Sequence, residues 1–285
     1  MNGILIIDKP KGFSSHDIVA KVRKITKEKV GHTGTLDPLA TGVLPLLIGK
    51  GTLCSKYLIN HDKKYKVNLK LGIKTATGDE EGEILEKKEV NKDILDKNNV
   101  EKVLGSFLGE QEQIPPKYSA IKVNGKKLYE YARKNQEVKI EPRKINIYEI
   151  NLLEINENDY EIKFEVKCSK GTYIRSLCED IAKKMKTVGY MKDLKRIEVG
   201  EFKIDQAISI EDLTEEVVEK KIVKIEDLFK DLENIELNKR KLKLFLNGVQ
   251  LTVNKKDGIY KIYSENIFIG IGVIKNKLLK RDIVI

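Results

Sequence analysis

Tryptophan is absent from the 285 residues, and cysteine occurs only at Cys54, Cys168 and Cys178. Three cysteines without a CxxC spacing build no disulfide framework, which fits a protein of the reducing cytoplasm. No run of about 18 apolar residues occurs, so no membrane-spanning helix is expected. The opening Met1-Asn2-Gly3-Ile4-Leu5-Ile6-Ile7-Asp8 carries no basic segment, and its apolar run ends at a charge. That reads as neither a secretory nor a transit signal. A phosphate loop is missing too, because in Gly49-Lys50-Gly51-Thr52 the lysine is followed by glycine, and Gly42 lies too far upstream. The acidic turn Thr75–Gly82 lacks the alternating ligands of a calcium loop. No metal or dinucleotide signature remains, and neither is expected as a cofactor.

What is present is charge, unevenly spread. The composition is 40% hydrophobic and 34% charged, with a net charge of +10 and a pI near 9.2. Such a chain is expected to be soluble and globular, with one large domain and a small one, and its basicity favours a polyanionic partner. Residues 1–60 hold 9 Lys and Arg against 4 Asp and Glu, and residues 239–285 hold 11 against 3. Between these basic ends, residues 205–236 hold 4 against 11. This acidic block reads as helical and as the boundary between a domain at 1–236 and a small β-rich module at 237–285.

One stretch organises the rest: Gly31-His32-Thr33-Gly34-Thr35-Leu36-Asp37-Pro38-Leu39-Ala40-Thr41-Gly42. Its glycines, threonines and proline are turn formers, which excludes a helix interior. Pro38 fixes its own φ and biases Asp37 away from the helical region. Asp37, the one carboxylate, is thus presented on stiff backbone, as a nucleophile or base requires. An ordinary turn-capping Asp is the alternative the residues leave open.

Around it the periodicities predict a strand at Ile4–Ile7 and a helix from Ser14 with a capping box to Asp17. A strand follows at Val43–Ile48, then a short helix through Leu58 capped by Thr52. Lys64–Gly72 alternates as a half-buried strand with Tyr65, Val67, Leu69 and Leu71 on one face. Further helices are expected at 91–107, 126–134 and Tyr173–Met185, and strands at 144–154, 160–168 and 192–203. The tail reads as strands at Leu242–Leu246, Ile259–Tyr263, Ile267–Val273 and Ile283–Ile285.

Several motifs together resemble one family. They are Ile7-Asp8-Lys9-Pro10-Lys11-Gly12, the Asp37 loop, Lys64-Tyr65, Thr75 with Thr77 and Asp79, and Gln113-Ile114-Pro115-Pro116 with Tyr118-Ser119-Ala120. Glu141-Pro142-Arg143, Gly171-Thr172-Tyr173-Ile174-Arg175 and Leu194-Lys195-Arg196 complete the set. In this order they resemble the bacterial tRNA pseudouridine synthase B (TruB) family along nearly the whole chain. Lys195 departs from the second arginine common there; it keeps the charge without the planar fork. The tail resembles a shortened PUA-like module.

The resemblance implies an α+β fold, a mixed, largely antiparallel sheet flanked by helices, with a small C-terminal all-β module. It implies an isomerase that converts uridine 55 in the tRNA T-loop to pseudouridine without metal or cofactor. The target base would be flipped out of its stack. Asp37 would be the nucleophile, adding to the pyrimidine ring or capturing the ribose carbon. Tyr65 would stack on the base and take the C5 proton, and Arg175 would pair with Asp37. Tyr173 and Leu194 would line the pocket, His32 would contact the flipped nucleotide or fill its gap, and Asp79 would brace the acidic turn. No protein partner is implied, and nothing demands more than a monomer. A non-catalytic RNA-binding or tRNA-folding protein on the same scaffold is the alternative; Asp37, Tyr65 and Arg175 together speak against it.

Overall fold

The alternation in Lys63–Leu71 becomes the middle of a ten-stranded sheet. The computed structural model describes residues 1–134 and 136–285. Across the sheet the main order is Ile208–Ser209, Gly3–Lys9, Thr41–Ile48, Gly189–Val199, Lys63–Leu71, Glu161–Cys168, Arg143–Asn156 and Gly109–Gln113. Among the described residues its parallel pairings are Gly3–Lys9 with Ile208–Ser209 and Thr41–Ile48 with Gly189–Val199. The sheet is therefore mixed and largely antiparallel, as the resemblance implied.

The continuous apolar run of the first strand is explained by burial on both faces. Leu5 and Ile7 enter one core with Ile18 and Val22 of the Ser15–Thr26 helix and with Leu177 and Ile181 of the Ile174–Lys184 helix. Ile4 and Ile6 enter a second core on the opposite face, with Val43, Phe229, Ile271 and Ile283. Ser14 and Asp17 form the capping box that starts the first helix. Among the described residues no helix is long and apolar enough to cross a membrane.

The second sheet runs Asn234–Glu236, Gly258–Ser264, Ile267–Lys275, Leu278–Val284, Leu251–Thr252. Ile271 and Ile283 carry it into the core of the large sheet, and Lys56 and Tyr57 both reach Asp282. Parallel pairing of Asn234–Glu236 with Lys261–Tyr263 sews the acidic segment to the tail.

Several local readings are corrected. Leu242–Leu246 is not a strand: Lys239–Leu246 is a helix capped by Asn238, whose side chain accepts from the Lys241 N–H at 2.9 Å. Leu242 and Phe245 pack into the module core at helical spacing, which overrides the Lys-Leu alternation. The acidic segment is α-helical at Glu215–Lys221 and Ile225–Leu228, with a 3₁₀ turn at Ile204–Gln206 where it begins. Between and around these the sheet edge claims the backbone, with Ile4 and Val223 exchanging hydrogen bonds of 2.9 and 2.8 Å. The expected 91–107 helix is a 3₁₀ turn, Lys92–Leu95, and a helix, Lys97–Gly105, restarted by an Asp96 cap. Thr52 caps nothing and donates to the Gly49 carbonyl at 2.8 Å.

Candidate active site

The Asp37 loop owes its shape to anchors on either side of the carboxylate. Leu36, Leu39 and Ala40 are buried. The Leu36 N–H donates to Ser15 Oγ at 2.8 Å, and Ser15 Oγ donates to the Leu36 carbonyl at 3.1 Å. The Pro38 carbonyl accepts from the Gly12 N–H at 2.9 Å and from Lys9 Nζ at 3.2 Å. Burial lowers the Lys9 pKa to about 8, against the pull of Asp37. With its neighbours pinned, the Asp37 side chain stays 40% exposed over a cleft of about 490 Å³.

Arg175 faces it from the first turn of the Ile174–Lys184 helix, its own side chain 8% exposed. Nε lies 3.2 Å from Asp37 Oδ2, and Nη1 lies 3.5 Å from Asp79 Oδ2. Nη1 also donates to the Thr77 carbonyl and Nη2 to the Tyr118 carbonyl, each at 3.0 Å. One guanidinium thereby ties together the Asp37 loop, the acidic turn and the Pro-rich segment. Asp79 braces its turn, accepting from the Thr77 hydroxyl and the Glu81 N–H, and also reaches Arg175, a pairing its local sequence did not reveal.

Tyr65, Tyr173 and Leu194 line the same cleft as Asp37 and Arg175. Tyr65 is 8% exposed, and burial pushes its hydroxyl pKa up to about 12. His32 is not among the lining residues; it ends the Val30–His32 strand one position before the cleft. Burial and the charge of Arg196 lower its pKa, holding the ring neutral, and its Nδ1 is buried without a partner. The three thiols are buried and their pKa values raised, which removes them as nucleophiles.

Two contributors escaped the site reading. Gln113 reaches from its strand to the start of the Arg175 helix, accepting from the Tyr173 N–H at 2.8 Å and donating to the Tyr173 carbonyl at 3.0 Å. Arg196 is 2% exposed in the cleft wall, donating Nε to the Val43 carbonyl at 2.7 Å and Nη2 to the Gly34 carbonyl at 3.1 Å. The signal for each was its place in a motif, not its spacing. Lys195, on the same strand, instead lies 3.7 Å from Asp8. Gly42 makes this corner feasible: its φ is +101°, and a Cβ there would stand 2.1 Å from the Arg196 carbonyl oxygen.

Residues 22–174 match the family described as TruB family pseudouridylate synthase (N terminal domain), and residues 175–236 match the tRNA pseudouridylate synthase B C-terminal domain. A relative from Clostridium perfringens (strain ATCC 13124), "tRNA pseudouridine synthase B", is 46% identical over 291 residues, covering 99% of this chain and 98% of its own. One of the same name from Aquifex aeolicus (strain VF5) is 39% identical, covering 98% of each. Among solved structures, a Cbf5-Nop10-Gar1 complex contains a chain that superposes with a TM-score of 0.68 at 26% identity, over 95% of this chain and 78% of that one. The fold is thus that of the pseudouridine synthases, a mixed central sheet with a C-terminal β module. Within that class the chain belongs to the TruB family, and with it to the isomerases.

Proposed function

We propose that this protein isomerises uridine 55 in the T-loop of tRNA to pseudouridine, acting in the cytoplasm as a monomer without a protein partner. The observation that carries the reading is the Asp37–Arg175 contact of 3.2 Å at the mouth of a cleft walled by Tyr65. A half-exposed carboxylate held by a buried guanidinium is aimed into the cleft, the placement a nucleophile needs. Tyr65 stacks on the flipped base, and Tyr173 and Leu194 close the pocket around it. His32, neutral and beside the cleft, meets the nucleotide from outside the pocket.

The reaction is an exchange of bonds with no net change in composition. The N1–C1′ bond breaks while Asp37 holds the substrate covalently. The freed uracil turns, C5 bonds to C1′, the bond between Asp37 and the substrate breaks with its electron pair returning to the carboxylate, and the C5 proton passes to Tyr65 as N1 takes up a proton. Treating unmodified tRNA with purified protein and mapping pseudouridine tests this directly. The expected outcome is one new pseudouridine, at position 55; modification elsewhere with none at 55 would sink the assignment.

The basic tail helix is proposed to bind phosphates. Lys239, Arg240, Lys241 and Lys243 are all exposed. Deleting the tail is a poor test, since Ile271 and Ile283 complete the core shared with Ile4 and Val43. Replacing the four cations with Gln should instead weaken tRNA binding and lower the log–log salt slope by about 0.7–0.9 for each phosphate no longer neutralised. An unchanged slope would show that this helix does not touch RNA.

A further inference from the structure

Arg196 has a charge that its visible partners do not require. Its carbonyl acceptors, Val43 and Gly34, would accept equally from a neutral donor, yet the group is 2% exposed and forms no ion pair among the described residues. Burying an unbalanced cation is costly unless an anion meets it. One ionisable neighbour is fixed by sheet register: Arg196 on Gly189–Val199 is the direct cross-strand partner of Tyr65 on Lys63–Leu71.

We propose that Arg196 is the positioning residue for proton removal, holding the Tyr65 hydroxyl at the cleft and stabilising the phenolate that takes the C5 proton. The proposal rests on the reading of Tyr65 as the base. The charges around Tyr65 agree with it. Asp37 from the loop and Cys168 from the Glu161–Cys168 strand both oppose ionisation, as does burial, while Arg196 favours it. Lys63, on Tyr65's own strand, and Arg175, on the helix, line the same cleft. Lys63 donates to the Ile59 and His61 carbonyls, and Arg175 is committed to Asp37 and Asp79.

In the proton-removal step, Tyr65 first releases its hydroxyl proton to water. Once C5 is bonded to C1′, the phenolate oxygen takes the proton from C5. The C5–H electron pair becomes the C5=C6 bond, and N1 takes a proton from water as the C6=N1 bond is lost.

The test compares tRNA carrying protium or deuterium at C5 of the target uridine, in single turnovers across a pH series. Arg196→Gln should form pseudouridine about 10- to 100-fold more slowly near neutral pH, the loss in phenolate population when its cation is removed. It should show a primary isotope effect larger than wild type, with its rate profile displaced upward by about 1–2 pH units. Arg196→Lys, which keeps the charge, should restore most of the rate and a near-wild-type isotope effect. A folded Arg196→Gln enzyme with the wild-type isotope effect and an undisplaced profile, however slow, overturns the proposal, because a misplaced loop slows all steps alike. Should Arg196→Gln not fold, Arg196→Lys decides: an isotope effect there as large as that of Tyr65→Phe overturns it. Tyr65→Phe with no added isotope effect would instead remove Tyr65 as the base, a separate failure from that of Arg196.

Discussion

In Asp37→Asn, pseudouridine formation and proton release from C5 should both fall to background, while tRNA remains bound to within about tenfold, roughly 1.4 kcal/mol. The loop should survive, because its shape is set by neighbours of the side chain. Leu36 is held by Ser15, Pro38 by Gly12 and Lys9, and the Asp37 carbonyl by the Ala40 N–H at 3.0 Å. An amide oxygen can still accept from Arg175 Nε, and Asp79 remains within 3.5 Å to balance the buried guanidinium. What disappears is a nucleophilic anion, for which a neutral amide offers no replacement. Binding persists because it rests mainly on phosphate contacts from the basic segments. A C5-tritium release assay and a filter-binding titration on the same variant check this. Tritium release near the wild-type rate would show that Asp37 is not the nucleophile, and collapsed binding in a folded variant would show that binding and chemistry are not separable.

Arg175→Lys should lose one to two orders of magnitude in turnover despite conserving charge, about 1.4–2.7 kcal/mol of transition-state stabilisation. The fork is not spent on Asp37, which Arg175 meets through Nε at 3.2 Å. Its two terminal nitrogens go to the Thr77 and Tyr118 carbonyls, with Nη1 also facing Asp79. An ammonium is a point donor and cannot reach these directions at once. The lysine variant therefore either leaves Asp37 unaimed or leaves buried carbonyls and Asp79 without a partner, each costly. Single-turnover rates beside tRNA affinity separate the cases. Full turnover in a folded Lys variant would refute the proposed role, and unchanged affinity with a reduced rate is the expected result.

The local states of the backbone were legible in the sequence wherever periodicity and turn chemistry agreed. Alternation along Lys64–Gly72 placed Tyr65, Val67, Leu69 and Leu71 on one buried face. Ser14 and Asp17 announced a helix start. Pro38 and the glycines around Asp37 announced a stiff presented loop, because those residues restrict or free φ by themselves. Lys-Leu alternation in the tail misled for the same reason: a short apolar run fits both periods, and only packing of Leu242 and Phe245 against the module core chose the helix.

Which side chains meet was decided by tertiary structure alone. Asp37, Asp79 and Arg175 lie on a loop, a turn and a helix far apart in the chain, and they meet because the sheet order brings those three places to one edge of the cleft. Arg196 stands beside Tyr65 because the antiparallel register of two strands pairs those residues, and a one-residue slip would have put them on opposite faces of the sheet. Its strand could approach Thr41–Ile48 only because Gly42 has no Cβ. Side-chain patterns along the chain encode burial and backbone conformation; partners across it depend on register and strand order, which no local pattern contains.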